Sequence, residues 1–271
     1  MIKQVKIKNF SISNNLPIVL IAGPCQLENR EHAIYMAENI KKICSKLKIN
    51  FIYKTSYDKA NRTSHLSKRG LGLEKSIKIF DEIKEKLEIP ILTDVHSVEQ
   101  CEILKNSVDI IQIPAFLCRQ TDLLVAAAKT GKPINIKKGQ FMSAETMKHA
   151  VTKIKDSGNN HIILTDRGTM FGYQDIIVDY RGIPTMQKLK IPVVLDITHS
   201  LQKPNQSSGV TGGNPEMIET IAKAGVAAGA DGIFLETHPN PKIAKSDGEN
   251  MLELNKLKDL LTKLIRIRKV L

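Results

Sequence analysis

Short apolar runs alternate with amphipathic stretches along the whole chain, and this alternation constrains the fold more than any other feature. Eight runs rich in Ile, Val and Leu indicate strands: Ile18–Cys25, Asn50–Ser56, Ile89–His96, Val108–Pro114, Pro133–Lys138, His161–Thr165, Pro192–Thr198 and Gly232–Thr237. Stretches with helical periodicity follow them: Arg30–Leu47, Leu73–Leu87, a short helix ending at Lys105, Thr121–Lys129, Ala144–Asp156, a short helix including Pro184–Leu189, Glu216–Ala228 and Met251–Val270. Continuous apolar strands separated by helices predict a parallel sheet covered on both faces.

Eight such repeats in 271 residues predict an α/β fold, a closed (β/α)8 TIM barrel, as a single domain over residues 1–271. A doubly wound open sheet is the alternative. That fold usually carries a Gly-rich phosphate turn after its first strand, and Gly23-Pro-Cys25 does not match it. The first sixteen residues predict a short N-terminal β-hairpin whose turn is Ser13-Asn-Asn15.

The formal net charge of +12 lies largely in lysine-rich helical stretches, which indicates a solvated surface. A nucleic-acid-binding barrel is an alternative hypothesis, but no run of aromatic residues interleaved with Arg supports it. No apolar run reaches the roughly 18 residues of a membrane span. Four cysteines without a C-x-x-C pair and without a signal peptide predict reduced thiols in a cytoplasmic protein.

Polar side chains occur at the C-terminal end of every predicted strand. They are Cys25, Lys54, Asp94, His96, Gln112, Lys137, Lys138, Asp166, Arg167, Asp196, His199, Glu236 and His238. One such residue is easily a capped core residue. Because the C-terminal strand ends of a barrel meet at one mouth, their recurrence on eight strands predicts a functional site there.

The run from Lys54 to Ser64 has the composition of a phosphate-binding loop. It interleaves cations with short hydroxyl and amide groups: Lys54, Ser56, Lys59, Asn61, Arg62, Thr63 and Ser64. Lysine supplies a point charge, and arginine supplies a planar fork for two oxygens. Together with Lys137 and Arg167 these cations predict ligands that carry several negative charges.

A second group combines the three metal-binding side-chain types. Its members come from separate strand ends and from the chain that follows them: Cys25, His199, Glu236 and Asp247. Thiolate, imidazole and carboxylate ligands suit divalent transition metals. The alternative for Cys25 is a small buried hydrophobe, because a free cysteine usually has that role.

Ten segments carry a resemblance to a known family: Ile21–Cys25, Lys54–Ser64, Thr93–His96, Gln112–Asp122, Asn135–Phe141, Thr165–Thr169, Phe171–Tyr173, Asp196–Ser200, Glu236–Pro239 and Ser246–Gly248. Over nearly its full length the chain resembles the 3-deoxy-D-manno-octulosonate 8-phosphate synthases. The most specific segment is Lys59-Ala-Asn-Arg62, where sister enzymes that make 3-deoxy-arabino-heptulosonate 7-phosphate carry Lys-Pro-Arg.

The resemblance implies a barrel enzyme that condenses phosphoenolpyruvate with D-arabinose 5-phosphate and water and releases inorganic phosphate. The product feeds lipopolysaccharide synthesis, and such enzymes are typically homotetramers. The sister reaction with erythrose 4-phosphate is the alternative, and Asn61 favours arabinose 5-phosphate.

The resemblance also implies residue roles. Catalytic positions are Lys59, Asn61, Asp94 and His199. Substrate-binding positions are Lys54, Ser56, Arg62, Thr63, Gln112, Phe116, Arg119, Lys137 and Arg167. Among these, Lys54, Ser56, Lys137 and Arg167 correspond to phosphoenolpyruvate contacts, Arg62 and Thr63 to contacts with the sugar phosphate, and Phe116 and Arg119 to contacts with a neighbouring subunit's site.

Family members with Cys after Gly-Pro resemble a metal-dependent class, and members with Asn there work without metal. Cys25 therefore implies a divalent metal, with His199, Glu236 and Asp247 as partners. This ligand set does not choose among zinc, iron, manganese and cobalt. Either the metal or Lys59 would stabilise the aldehyde oxygen. One departure lies in the loop Ser207–Asn214, which has Thr-Gly-Gly where Ser-Gly-Gly is expected.

Overall fold

A computed structural model of the chain describes residues 3–62, 65–172, 175–203 and 212–271. Its strands, in chain order, are β1 (Val5–Ile7), β2 (Phe10–Ile12), β3 (Val19–Gly23), β4 (Asn50–Lys54), β5 (Ile91–Asp94), β6 (Ile110–Ile113), β7 (Ile134–Lys137), β8 (Ile162–Asp166), β9 (Thr169–Phe171), β10 (Asp175–Ile177), β11 (Val193–Asp196), β12 (Gly232–His238) and β13 (Leu252–Glu253).

Eight of these strands form one parallel sheet in the order β11-β8-β7-β6-β5-β4-β3-β12. The sheet closes because β11 also pairs with β12, with Val194 opposite Gly232. The closed barrel is therefore confirmed, and the open sheet is excluded.

Eight α-helices accompany the strands in the described residues: α1 (Arg30–Leu47), α2 (Leu73–Leu87), α3 (Val98–Leu104), α4 (Thr121–Lys129), α5 (Met147–Asp156), α6 (Gly182–Gln187), α7 (Ile218–Ala227) and α8 (Leu257–Arg268). Helix α1 shows how local signals set the bounds. The Asn29 side chain accepts the N–H of His32 at 2.8 Å, and Lys48 ends the helix in the left-handed region. No helix in the described ranges is long and apolar enough to cross a membrane.

The barrel separates two apolar cores. The outer core lies between the strands and the helices. The inner core combines strand residues with residues of the β1–β2 hairpin: Val5, Ile7, Ile12, Val19, Ile21, Ile52, Leu92, Ile110, Ile163, Val194 and Phe234. The predicted N-terminal hairpin therefore exists and packs against the apolar interior of the barrel, which leaves the opposite end for polar residues.

The position of the hairpin turn was predicted wrongly. Ile7 pairs with Phe10, so the turn is Lys8–Asn9, and Lys8 has a φ of 50°. Ser13–Asn15 instead leads from β2 toward β3. The shorter turn aligns Val5 with Ile12 and puts the apolar residues of both strands on the face that meets the inner core.

Two further elements differ from the prediction. Helix α8 begins at Leu257 rather than Met251, because Leu252–Glu253 pairs with the end of β12 and the Thr237 hydroxyl donates to the Leu252 carbonyl at 2.7 Å. The antiparallel hairpin of β9 and β10 was missed. Its strands have only three residues each, and Met170 and Phe171 are exposed, so the pattern is too short to separate it from a loop.

Candidate active site

The barrel interior changes from apolar to polar within two residues on each of several strands. Side chains two positions beyond the inner-core residues point into the same interior. Six of these are buried polar residues: Lys54, Asp94, Gln112, Thr165, Asp196 and Glu236. All lie at C-terminal strand ends, so the structure brings the polar groups predicted from the sequence to one mouth.

Two buried ion pairs dominate this polar layer. Lys54 Nζ lies 2.8 Å from Glu236 Oε1, and Lys137 Nζ lies 2.5 Å from Asp196 Oδ2. Lys137 Nζ also lies 3.9 Å from the centre of the Phe234 ring, a cation–π contact with the inner core. Burial alone would raise the pKa of Asp196, but the charges of His199 and Lys137 outweigh it and hold that pKa well below its usual value.

A neutral hydrogen-bond chain crosses the same layer. The Thr165 hydroxyl donates to Asn135 Oδ1 at 2.6 Å, and Asn135 Nδ2 donates to Gln112 Oε1 at 3.0 Å. Gln112 is 3% exposed. Its amide is thus oriented by β7 and β8, because buried amides keep the orientation that satisfies their partners.

Beside the lysine pairs, Asp94 collects donors from two segments. The Ser56 hydroxyl donates to Asp94 Oδ1 at 2.5 Å, and His96 Nε2 lies 3.0 Å from Asp94 Oδ2. Lys59 Nζ donates to the Ser56 oxygen at 3.1 Å. Burial would raise the pKa of Asp94, but His96 and the lysines Lys54 and Lys59 outweigh it and lower that pKa. Asp94 is therefore an acceptor of fixed charge at neutral pH.

Arg62 connects the loop after β4 with the loop after β12. Its guanidinium donates to Gln26 Oε1 at 2.6 Å, to Ser246 Oγ at 2.9 Å and to the carbonyl oxygens of Lys68 and Lys245 at 2.9 and 3.1 Å. Asn61, beside it, is exposed. Thr63 lies outside the described residues, as does most of the loop Ser207–Asn214.

Arg167 follows the last residue of β8 and is 4% exposed. Its Nη2 donates to Gln202 Oε1, whose Nε2 donates to Asp247 Oδ1 at 3.3 Å. Its Nη1 is buried and has no hydrogen-bond partner in the described part of the chain. A buried guanidinium with an unused N–H direction is suited to bind an anion.

Cys25, Glu236 and Asp247 form a candidate metal site. Their ligand atoms lie within 4.8 Å of one another, and Cys25 Sγ is 3.1 Å from Asp247 Oδ2. Ligands of a tetrahedral metal lie about 3.4 Å apart when the bonds are about 2.1 Å, so a small closure completes such a site. Glu236 Oε2 is buried without a hydrogen-bond partner among the residues described. These residues fit a divalent metal, because sulfur and carboxylate oxygens are its ligands and Glu236 Oε2 is available among the described residues.

His199 stands at the edge of this cluster. Its Nδ1 lies 2.7 Å from Asp196 Oδ2, and its Nε2 lies 3.5 Å from Glu236 Oε2. Asp196 orients the imidazole through Nδ1 and leaves Nε2 as the nitrogen that faces Glu236. That orientation suits a fourth metal ligand.

The surroundings of Cys25 favour the protonated thiol over the thiolate when no cation is bound. Burial raises the pKa of Cys25 well above its usual value, and the charges of Glu236 and Asp247 raise it further, against the opposite effect of Lys59 and Lys54. A metal ligand must be a thiolate, so metal binding would release this proton. Burial lowers the pKa of Lys59, but the negative charges around it outweigh burial and raise that pKa.

Glu28, His32 and His238 form a second cluster of metal-ligating types, with ligand atoms within 4.8 Å of one another. His238 Nδ1 accepts the N–H of Asn240 at 3.0 Å, so its proton sits on Nε2, the nitrogen 3.6 Å from Glu28 Oε1. A protonated Nε2 cannot bind a metal. We therefore assign this cluster a structural role.

Phe116 and Arg119 lie on the exposed turn after β6. Phe116 is 53% exposed, and the Arg119 carbonyl accepts the Lys153 ammonium at 2.9 Å. Both side chains face away from a core and are available to contact another molecule.

Sequence reasoning missed three polar residues that orient the site. Gln26 and Ser246 both accept from Arg62, and Gln202 joins Arg167 to Asp247. Gln26 follows Cys25 and Ser246 precedes Asp247 in the sequence. That adjacency was the available signal, but it does not show which way either side chain points.

The closed barrel and its charged, cysteine-containing mouth define a (β/α)8-barrel enzyme of the kind that acts on anionic substrates. The chain belongs to the DAHP synthetase I family, whose sequence model matches residues 3–271. It is 51% identical to a protein of Chelativorans sp. (strain BNC1) named 2-dehydro-3-deoxyphosphooctonate aldolase, over 98% of this chain and 97% of that one. Proteins of the same name from Brucella canis and Brucella ovis are 50% identical over 98% of this chain and 96% of theirs. The resemblance seen in the sequence is thereby confirmed.

Proposed function

We propose that the chain is a metal-dependent 3-deoxy-D-manno-octulosonate 8-phosphate synthase. The aldolase name of its relatives denotes the same enzyme. It condenses phosphoenolpyruvate with D-arabinose 5-phosphate and water and releases inorganic phosphate. The observation that carries the proposal is the combination, at one mouth, of buried cations with the Cys25–Glu236–Asp247 cluster. Lys54, Lys137 and Arg167 offer more cationic N–H donors than a single monoanion requires.

Phosphoenolpyruvate would bind against Lys54, Lys137 and Arg167, with Ser56 beside them. Lys54 and Lys137 are each held by one carboxylate, which fixes their ammonium groups without using all three N–H donors. Arg167 Nη1 offers a further donor, since it lacks a partner in the described ranges. The substrate's carboxylate and phosphate groups would accept these hydrogen bonds.

Arabinose 5-phosphate would bind at the outer side of the mouth. Arg62 is half-buried and would take the phosphate, together with Thr63. Lys59, Asn61 and Asp94 would contact the sugar, and Asp94 is kept anionic by its neighbours. Its oxygens would then accept hydrogen bonds from sugar hydroxyl groups.

The reaction forms the bond between carbon 3 of phosphoenolpyruvate and the sugar aldehyde carbon. Water adds at carbon 2 and phosphate leaves by carbon–oxygen cleavage. One proton of the water reaches the aldehyde oxygen, and the other leaves with the phosphate. Lys59 is cationic and hydrogen-bonded to Ser56, so it is placed to stabilise the aldehyde oxygen. The two phosphate-binding groups of residues would hold the reacting carbons of both substrates close together, and this proximity is a large part of the catalytic effect.

Cys25, Glu236 and Asp247 would hold the divalent metal, with His199 as a fourth ligand. When bound, the metal would supply Lewis acidity for an aldehyde oxygen or for a water molecule. Asp196 orients His199 and pairs with Lys137, so one carboxylate links the metal ligands to the phosphoenolpyruvate grip.

We also propose a cytoplasmic homotetramer in which Phe116 and Arg119 reach a neighbouring subunit's site. Their exposure on one turn supports this assignment. Sedimentation analysis of the wild type and of Arg119→Ala would test it. A monomeric, fully active wild type would refute the shared site.

Phosphate release with each sugar phosphate at equal concentration tests the proposed function. We expect arabinose 5-phosphate to be strongly preferred over erythrose 4-phosphate. A preference for the four-carbon sugar would identify the sister reaction instead. No release with either sugar, together with salt-sensitive retention of nucleic acid, would favour the basic binding-protein hypothesis.

A further inference from the structure

Lys138 is a buried lysine that the proposed reaction does not use. It follows Lys137 at the end of β7 and is 2% exposed. Because successive residues of a strand point to opposite faces, the Lys137 side chain enters the mouth and the Lys138 side chain leaves the barrel interior. A charged group buried behind the mouth needs partners that account for it.

Those partners come from the loops after β7 and β8. The Lys138 ammonium donates to the Gly168 carbonyl at 2.9 Å, the Thr169 hydroxyl at 3.0 Å and the Met142 carbonyl at 3.3 Å, and it lies 3.4 Å from Asp166 Oδ1. One ammonium therefore joins two loops that are otherwise separate in sequence.

Arg167 lies between the residues that Lys138 contacts. Asp166 precedes it and Gly168 follows it, and Asp166 Oδ1 also accepts the Gly168 N–H at 2.9 Å. Gly168 has a φ of 84°, and a Cβ there would lie 2.4 Å from Ile176, so the backbone has little room to move. The backbone N–H of Lys138 also donates to the Thr165 carbonyl at 2.8 Å. The backbone of Arg167 is thus held on both sides to the segment that carries Lys137.

We propose that Lys138 is a positioning residue that sets the spacing between Arg167 and Lys137 for phosphoenolpyruvate. The inference rests on the proposed function, because it takes these two cations as the grip for that substrate. Lysine suits this place since its three N–H donors satisfy carbonyl, hydroxyl and carboxylate acceptors at once. An apolar residue there removes the ammonium donor from all of them, and Asp166 Oδ1 then keeps only the Gly168 N–H.

The test compares Lys138→Met with Lys41→Met. Lys41 is a matched control, because its ammonium donates to the Leu87 carbonyl at 2.7 Å, at the C-terminal end of α2. We expect Lys138→Met to lower kcat/KM for phosphoenolpyruvate about ten- to a hundredfold, mainly through KM, as expected when a binding group is misplaced. We expect KM for arabinose 5-phosphate to change less than about twofold, and Lys138→Arg to recover part of the loss.

Calorimetric titration with phosphoenolpyruvate separates the possible failures. A wild type that does not bind this substrate refutes the proposed function, and the inference with it. A wild type that binds it, beside a folded Lys138→Met variant of unchanged affinity and KM, overturns the inference alone. If circular dichroism shows Lys138→Met to be unfolded, Thr169→Val decides, because it removes one acceptor only. A raised KM for phosphoenolpyruvate in that variant supports the inference, and an unchanged KM overturns it.

Discussion

The barrel interior has two layers that come from the same strands, two residues apart. The lower layer is the apolar inner core, and the upper layer is the set of buried polar residues at the C-terminal strand ends. On β4 the inward side chain changes from Ile52 to Lys54, and on β12 it changes from Phe234 to Glu236. The lower layer meets the β1–β2 hairpin and needs only matching volume. The upper layer buries charges, and apolar residues of similar size often replace buried ion pairs without loss of stability. This contrast supports the proposal that the upper layer binds substrates, whereas the lower layer stabilises the fold.

The two layers touch at Phe234. Its ring packs in the inner core, and Lys137 Nζ lies over it at 3.9 Å. The ring excludes water from below, which strengthens the interactions of Lys137 with any anion above it. Substitutions in one layer at a time can therefore test whether the two layers have separate roles.

Arg167→Met should produce the largest effect and should affect function alone. The variant loses a donor that would bind the substrate's anionic groups, so kcat/KM for phosphoenolpyruvate should fall about a thousandfold. It leaves no buried charge without its ion-pair partner, because Arg167 hydrogen-bonds to the neutral Gln202. The urea midpoint should stay the same or rise. An Arg167→Met protein that loses stability but retains kcat/KM would contradict the separate roles of the two layers.

Ile163→Ala is the complementary change in the lower layer. Ile163 is fully buried in the inner core, so its truncation should lower the free energy of unfolding by about 3 kcal/mol. The folded variant should keep kcat within about twofold, since the side chain lies below the charged layer. Urea unfolding and steady-state rates measure the two quantities. A loss of kcat as large as that of Arg167→Met would show that the layers are not separable.

Asp94→Asn should change stability less than Ile163→Ala does, and the change should appear in how the free energy of unfolding depends on pH. The pKa of Asp94 is lowered in the folded protein, so the unfolded state binds more protons as pH falls. The carboxylate therefore stabilises the fold above its unfolded pKa of about 4, and this stability is lost as the pH falls below it. We expect the wild type to lose more stability than Asp94→Asn between about pH 5 and pH 3. Identical pH profiles of the two proteins would contradict this account.

The sequence predicted the barrel because each strand is a continuous apolar run with a helix after it. Helices α1, α2 and α4 begin and end where their periodicity does. The failures concern places where a distant contact decides. Leu252 is not part of the last helix because it pairs as a strand with the end of β12. The hairpin turn lies at Lys8–Asn9 because packing against the inner core fixes the register of β1 and β2.

The candidate site was predictable in its residue types but not in its pairings. Strand-end positions place Lys137 and Asp196 at the mouth, but nothing local shows that they form an ion pair. Cys25 meets Asp247 from 222 residues away, a contact that the grouping of metal-binding residue types suggested but no local pattern shows. Lys138 was visible as a strand-end lysine, yet its role depends on carbonyl groups of two loops, which composition does not reveal.

The central claim is that the mouth works with a metal at Cys25, Glu236 and Asp247. The most direct measurement is the rate of phosphate release as a function of metal content, with chelator-treated protein reloaded stepwise with zinc, iron, manganese or cobalt. We predict that the rate falls with metal content, returns on reloading, and loses this dependence in Cys25→Asn. Undiminished turnover by protein verified to be metal-free would contradict the claim.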